Sequence, residues 1–210
     1  MKTPQTAADK VVDSALTRTA QLLSERFQEG TALKERQFEE CFEESLQAEP
    51  HVRVLAHAGL RLAHWRRAYA IDTTASLPDG GRLVAELKWG VKTLYNCSWD
   101  LAKLGVVRGE RAAEHAYLVA GAPASEWSGA SGAELFGNGE WKTRDLWSRF
   151  GKHFDFWAKD VPTTGPVAVP AAMTTTLVSV VLVSHWKGDW TLCASRVEVI
   201  DPVWVPWLPQ

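Results

Sequence analysis

The sequence predicts an α/β fold, and three observations carry that prediction. Two stretches near the start repeat apolar residues at helical spacing. A central run is split by strong turn chemistry into two extended arms. A helix-then-strand unit follows, and a second hairpin comes late in the chain. Helices and strands interleaved in this way bury their apolar faces as layers of helix on sheet.

Residues 6–29 place Val12, Ala15, Leu16, Thr19, Leu22 and Leu23 on one helical face, with Gly30 as a stop signal. Thr31 is positioned to cap a second helix over about 32–48, ended by Glu49-Pro50. Its apolar stripe is Phe38, Cys41, Phe42, Ser45 and Leu46, with Glu35 and Glu39 on the border. Residues 51–66 are compatible with strand or helix, and the alternation of Val52, Val54 and Ala56 favours at least one strand. Residues 69–90 read as a hairpin around Leu77-Pro78-Asp79-Gly80-Gly81, where Pro and Gly supply the turn geometry. A helix over about 96–104 and a short buried strand, His115–Ala120, come next, followed by a loop-rich stretch over 123–139. Residues 141–158 are aromatic and basic with a helical pattern broken near Gly151, and Pro162, Pro166 and Pro170 punctuate a linker. Thr175–Ser184 and Trp190–Ile200 form two strands joined by the turn HWKGD, and three prolines keep the tail extended.

At 210 residues the chain suits one domain with an elaboration. Its longest apolar-leaning run, Ala171–Val183, is interrupted by Thr174, Thr175, Thr176 and Ser179 and is too short to span a bilayer, so no membrane association is expected. The N-terminus lacks the apolar core of a signal peptide. Cys41, Cys97 and Cys193 are odd in number and widely spaced, which fits a reducing, cytoplasmic setting rather than a disulfide framework. The net charge of −2 makes no blanket case for a polyanionic partner. Residues 1–50 hold six basic side chains against ten acidic ones, leaving seventeen against fifteen for the rest. Arg61, His64, Arg66 and Arg67 form a local basic patch just before the hairpin; the alternative is a solvated edge.

The most informative residues are Asp72, Glu86 and Lys88. A turn centred on Asp79 is seven residues from Asp72 and seven from Glu86, so the two acids face each other across the ladder. Opposed Cβ atoms in an antiparallel pair lie roughly 5 Å apart. Lys88 is two residues beyond Glu86 and shares its strand face. Two carboxylates and an ammonium on one sheet face are costly as packing and useful for binding a metal and a phosphate.

The pattern Asp72-x13-Glu86-x-Lys88, with a Glu-bearing helix before it and a helix–strand unit after it, resembles the PD-(D/E)xK nuclease superfamily over about residues 32–121. The resemblance implies a restriction-endonuclease-like core of helix, three-stranded meander, helix and strand. An extra N-terminal helix and a C-terminal β-hairpin elaboration, an accessory segment over about 122–210, complete a single domain. It implies Mg²⁺-dependent hydrolysis of nucleic-acid phosphodiesters, DNA foremost, with Mn²⁺ as a substitute. Asp72 and Glu86 take the places of the motif's acids, Lys88 that of its lysine, and Glu35 that of the added helix glutamate, with Glu39 next. Asp72, Glu86 and the Leu87 carbonyl would hold the metal, while Lys88 would orient water or offset transition-state charge. Asp100 and Lys103 fall on the following helix, where some members carry a polar contributor. Arg61, Arg66, Arg67 and Lys103 would contact nucleic acid. Two departures stand out: Ile71 rather than proline precedes Asp72, and the literal Pro78-Asp79 belongs to the turn.

A rival expectation is a non-catalytic interaction or nucleic-acid-binding protein on the same scaffold, using its tryptophan-rich C-terminal half. Eleven tryptophans could stack on bases beside Arg144 and Arg149, or pack into the core, which large aromatics do well. The tail WVPW could also serve as a homodimer edge. The six histidines show no metal-ligand spacing, and the serine- and glycine-rich loop has neither a nucleophile elbow nor a phosphate loop.

Overall fold

The computed structural model describes residues 5–26, 34–55, 59–66, 68–90, 97–127, 133–149, 167–184 and 188–207. The fold is mixed α/β. Helices α1 (Ala7–Arg26) and α2 (Glu35–Gln47) are followed by β1 (Arg53–Leu55), β2 (Gly59–Leu60), β3 (Tyr69–Ala70), β4 (Thr73–Ser76) and β5 (Arg82–Trp89). Then come α3 (Cys97–Gly109), β6 (His115–Pro123), the single turn α4 (Ala124–Trp127), a 3₁₀ turn (Ala133–Phe136) and β7 (Gly139–Lys142). Helical residues 143–149 precede β8 (Ala168–Val183) and β9 (Trp190–Pro206). Seven strands form one sheet in the order β1-β4-β5-β6-β9-β8-β7, and β2 pairs with β3 separately. Among the described residues the β5–β6 pairing alone is parallel. The intervening α3 supplies the crossover that parallel neighbours need.

Alternation along the strands divides the core into two layers. Leu83, Ala85, Leu87, Tyr117 and Val119 pack with α1 and α2, while Val84, Ala116, Leu118 and Ala120 pack with α3. α1 starts with a reciprocal cap: Asp9 N–H donates to Thr6 Oγ1 (3.1 Å) and Thr6 N–H to Asp9 Oδ2 (2.7 Å). The same buried carboxylate accepts from Tyr117 Oη (2.9 Å) on β6 and pairs with Arg196 on β9, so the cap also pins α1 to the sheet.

The central hairpin closes as its turn chemistry requires. Gly80 adopts φ +83°, Gly81 N–H donates to Asp79 Oδ1 (2.9 Å), and Leu77 N–H reaches Gly81 O (2.8 Å). Thr73 pairs with Ala85 and Ser76 with Arg82, so the ladder reaches the residues just before the expected Asp72–Glu86 pair and stops there. The upstream arm is interrupted at Ile71 and Asp72, however, because β3 pairs with β2 while β4 joins β1 and β5.

Several boundaries differ from expectation. α3 runs past 104 to Gly109, and at Gly105 a Cβ would collide with the side chain of Met173 on β8. The stretch 123–139 contains α4 and the 3₁₀ turn, and Trp141 belongs to β7 rather than to a helix. Pro170, expected in a linker, lies within β8 at a register shift, where a strand tolerates proline. The tail to Pro206 is β9, paired with the start of β8. Gly30, Thr31, Gly151, Pro162 and Pro166 lie outside the described residues.

Gly121 on β6 shows how tightly the layer beside the site is packed. An added Cβ would lie 2.6 Å from Trp89 Cε3 and 2.8 Å from Leu192 Cδ2. Trp89 cannot yield easily, because its ring is stacked on Trp190 with centroids 4.2 Å apart. Gly121→Ala is expected to cost about 1–3 kcal/mol of unfolding free energy by overpacking, measurable by urea denaturation. A variant as stable as the parent would refute this packing.

Candidate functional site

The site is built from five elements. β5 contributes Glu86 and Lys88, β3 contributes Tyr69, the bend before β4 contributes Asp72, α3 contributes Asp100 and Lys103, and the first turn of α2 contributes Glu35. Asp100 and Lys103 are three apart on a helix and therefore point the same way. Their side chains meet at 2.5 Å, and Lys103 Nζ also donates to Glu86 Oε2 at 2.8 Å. Lys88 Nζ lies 3.5 Å from Asp100 and 3.6 Å from Glu35 and donates to the Leu87 carbonyl at 3.1 Å. Tyr69 Oη donates to Glu86 Oε1, and Lys103 Nζ stands 4.8 Å above the Tyr69 ring centre.

Two of these carboxylates also finish the edges of secondary structure. β4 begins only at Thr73, so Asp72 Oδ2 takes the Leu87 N–H (2.8 Å) that a ladder carbonyl would otherwise accept. Asp72 Oδ1 takes no hydrogen bond from any described residue. Glu35 Oε2 accepts from Trp89 N–H at 3.3 Å.

Burial makes this cluster electrostatically expensive. Glu86 is 0% exposed, Asp100 1% and Lys103 7%. Loss of hydration pushes the Glu86 carboxyl up to about 8; Lys103 opposes the rise and the charges of Asp72 and Asp100 add to it. Burial would likewise raise Asp100, but Lys103 and Lys88 together override it and hold that carboxyl below its ordinary range. Lys88 resists burial because Asp100, Asp72 and Glu35 favour its ammonium form, which is held above the usual lysine range. Lys103 is raised too: burial opposes, but Asp100 and Glu86 prevail. Both members of the Lys103–Glu86 pair thus retain protons, for one reason. Asp100 has two ammonium partners and Glu86 only a share of one, so Glu86 is the under-compensated acid. Glu39, one turn along α2 from Glu35, is raised by burial and by Asp72 and Glu35.

Expected site residues fall into three groups. Asp72, Glu86, Lys88 and Glu35 come together. Arg61 and Arg66 are exposed and line a separate cavity, while Arg67 lies outside the described residues. Lys103, expected to face nucleic acid, is instead buried against Glu86 and Asp100; two buried carboxylates draw its ammonium inward. Tyr69 was not anticipated, because no local signal shows that the chain changes sheets at Ile71-Asp72. Asp100 and Lys103 carried a faint signal, an acid–base pair at helical spacing.

Among the described residues no three His, Cys, Asp or Glu side chains converge as a ready metal cage. The three cysteines are buried and free. Trp65, Trp89, Trp141 and Trp207 are buried and the other five described tryptophans half-buried, so they serve as packing. No described helix is long and apolar enough to cross a membrane. Comparisons with protein-family models, curated proteins and solved structures find no match to this chain.

Glu86 predicts an unusual pH response in chelator. Its folded-state value of about 8 exceeds the ordinary 4.5, so between those values the folded protein holds a proton that the unfolded chain has released. Stability therefore falls as pH rises through that window and levels off above it. Urea titrations from pH 5 to 9 are expected to show a larger decline for the parent than for Glu86→Gln. Parallel pH profiles would contradict the assignment.

Proposed function

We propose that this chain is a metal-dependent nuclease of restriction-endonuclease-like architecture that hydrolyses phosphodiester bonds in nucleic acid, with DNA as its principal substrate. The observation that carries the reading is Glu86, a buried, under-compensated carboxylate beside Asp72 and Lys88. Packing alone gains nothing from such an acid; a cation and a phosphate give it a use. The element order adds support. α2 precedes the antiparallel strands β1, β4 and β5, and α3 then leads to β6 parallel to β5, the helix, meander, helix, strand sequence of the PD-(D/E)xK superfamily.

The donor set suits a hard divalent ion. Glu35, Asp72, Glu86 and Asp100, if all ionised, exceed Lys88 and Lys103 by two negative charges. Mg²⁺ is commonly held by one or two carboxylates with waters completing its shell, so a full protein cage is not required. Asp72, with one oxygen unengaged among the described residues, Glu86 and the Leu87 carbonyl would hold Mg²⁺, or Mn²⁺ in its place, Glu86 and Leu87 in exchange for present bonds to Tyr69, Lys103 or Lys88. When bound, the ion offsets phosphate charge and lowers the pKa of a water.

The remaining work belongs to the chain's own groups. Tyr69 and Lys103 hold one oxygen of Glu86 each and so fix its orientation, the supporting role that outer partners play for a ligand. Lys88 keeps its proton under the influence of Asp100, Asp72 and Glu35, so it acts as a fixed positive charge for the transition state rather than as a base. Glu35 and Asp100 steer that ammonium. An interaction protein built on exposed tryptophans has less support, because no described tryptophan is exposed.

A panel of linear, circular, single-stranded and RNA substrates tests the reading. Cleavage is expected with Mg²⁺ or Mn²⁺ and none in EDTA. Intact substrates throughout, with folded protein, would overturn it.

A further inference from the structure

We infer that the segment Arg61–Arg66 is a preorganised phosphate subsite, and that Glu110 is the residue that holds it in shape. The inference rests on the nuclease reading for the identity of its ligand. Arg61, Leu62, Trp65, Arg66 and Ala68 line a cavity of about 340 Å³. Leu62 (5% exposed) and Trp65 (8%) anchor the segment in the core and leave both arginines outside. Neither guanidinium has an ion pair or hydrogen bond among the described residues. Guanidinium forks match phosphate oxygens geometrically and carry a charge that does not titrate away.

The backbone between the two arginines is locked. Glu110, just beyond the end of α3, accepts the amides of Ala63 and His64, both at 2.7 Å, and meets His64 Nδ1 at 2.9 Å. The His64 ring stacks on Trp204 of β9 (centroids 3.7 Å apart, 6° between planes), and its carbonyl accepts from Val167 N–H at 2.9 Å. Trp65 N–H closes a turn on the Leu62 carbonyl at 3.1 Å. A flexible loop carrying two arginines would lose entropy on gripping an anion; this one has already lost it in folding. The subsite also has a fixed relation to the acid cluster. The ring of Trp65 lies 4.6 Å from that of Tyr69, whose hydroxyl donates to Glu86. The arginine segment and the acid cluster are thus joined through the Trp65–Tyr69 contact.

Glu110 makes the idea testable by sign. If only net charge mattered, removing an acid near two arginines would tighten binding to a polyanion. If Glu110 positions the arginines, removing it weakens binding. The experiment is fluorescence anisotropy with a short labelled DNA duplex in EDTA, across a salt series, for the full chain and its variants. Arg61→Ala/Arg66→Ala is expected to bind about tenfold or more weakly at low salt and to lose about two from the salt slope. Glu110→Ala, shown to be folded by circular dichroism, is expected to weaken binding and flatten the slope although no cation has been removed. A preference for 5′-phosphorylated over 5′-hydroxyl duplex that the double variant loses would assign a terminal phosphate. Equal binding of the two by the parent would assign an internal one. Unchanged affinity and slope in the double variant, or tighter binding by Glu110→Ala, would overturn the inference. Arginine-dependent binding without Mg²⁺-dependent cleavage would instead sink the nuclease reading and leave the subsite standing.

Discussion

Glu86→Gln is expected to lower Mg²⁺-dependent cleavage by about a hundredfold to a thousandfold while the protein stays folded. Gln is nearly isosteric, so the volume at this fully buried position is kept. It cannot supply a full negative charge to an ion, and losing one group that stabilises transition-state charge usually costs that much. Stability should not suffer in chelator. Glu86 is the acid that the folded protein strains to ionise, and Lys103 keeps Asp100 as a partner at 2.5 Å. Single-turnover cleavage assays and thermal melts with and without Mg²⁺ provide the check. Two results together support the site: lost cleavage, and loss of the Mg²⁺-induced rise in melting temperature. Cleavage at the parental rate would remove Glu86 from the mechanism.

Lys103→Met should have the largest effect on stability, about 3–5 kcal/mol. Removing the ammonium leaves the Asp100 carboxylate under-compensated in an apolar setting and denies Glu86 the cation that favours its ionised form. Met fills the space of the aliphatic stem, so the loss is electrostatic rather than a cavity effect. Among the described residues, Glu86 would keep only the Tyr69 hydroxyl, and Asp100 only Lys88 at 3.5 Å. The diagnostic is a double-mutant cycle by urea denaturation at pH 8. With Glu86→Gln already in place, Lys103→Met should cost at least about 1 kcal/mol less than in the parent. Additive effects would mean that the two side chains do not depend on each other.

Much of the candidate site was legible because it lies on a hairpin. The turn Leu77–Gly81 is chosen by residues adjacent in sequence, and once it closes, counting outward sets the pairing of Thr73 with Ala85, the last pair before Asp72 and Glu86. The two-residue period of a strand then puts Lys88 with Glu86. The amphipathic stripes of α1 and α2 were readable for a similar reason, since burial of one face imposes a local repeat.

The elements without a local signal depend on contacts between distant segments. β7 carries little signal in four residues, and it is a strand because β8 offers it a partner. Pro170 reads as a chain breaker until a register shift in a long hairpin accommodates it. Lys103 shows the limit most clearly. On a helix by itself it is a basic residue suited to a phosphate, yet in the fold two buried carboxylates hold it 2.8 Å and 2.5 Å away.

The amino-acid order alone therefore determined the hairpin, its register and the face shared by Glu86 and Lys88, because turn geometry and strand period are local. The tertiary structure decided what that face experiences. Packing α3 over β5 removed water from Glu86 and brought Asp100 and Lys103 to it, and the change of sheet at Ile71-Asp72 brought Tyr69. Burial and charge at a distance depend on what lies opposite, which no run of neighbouring residues encodes.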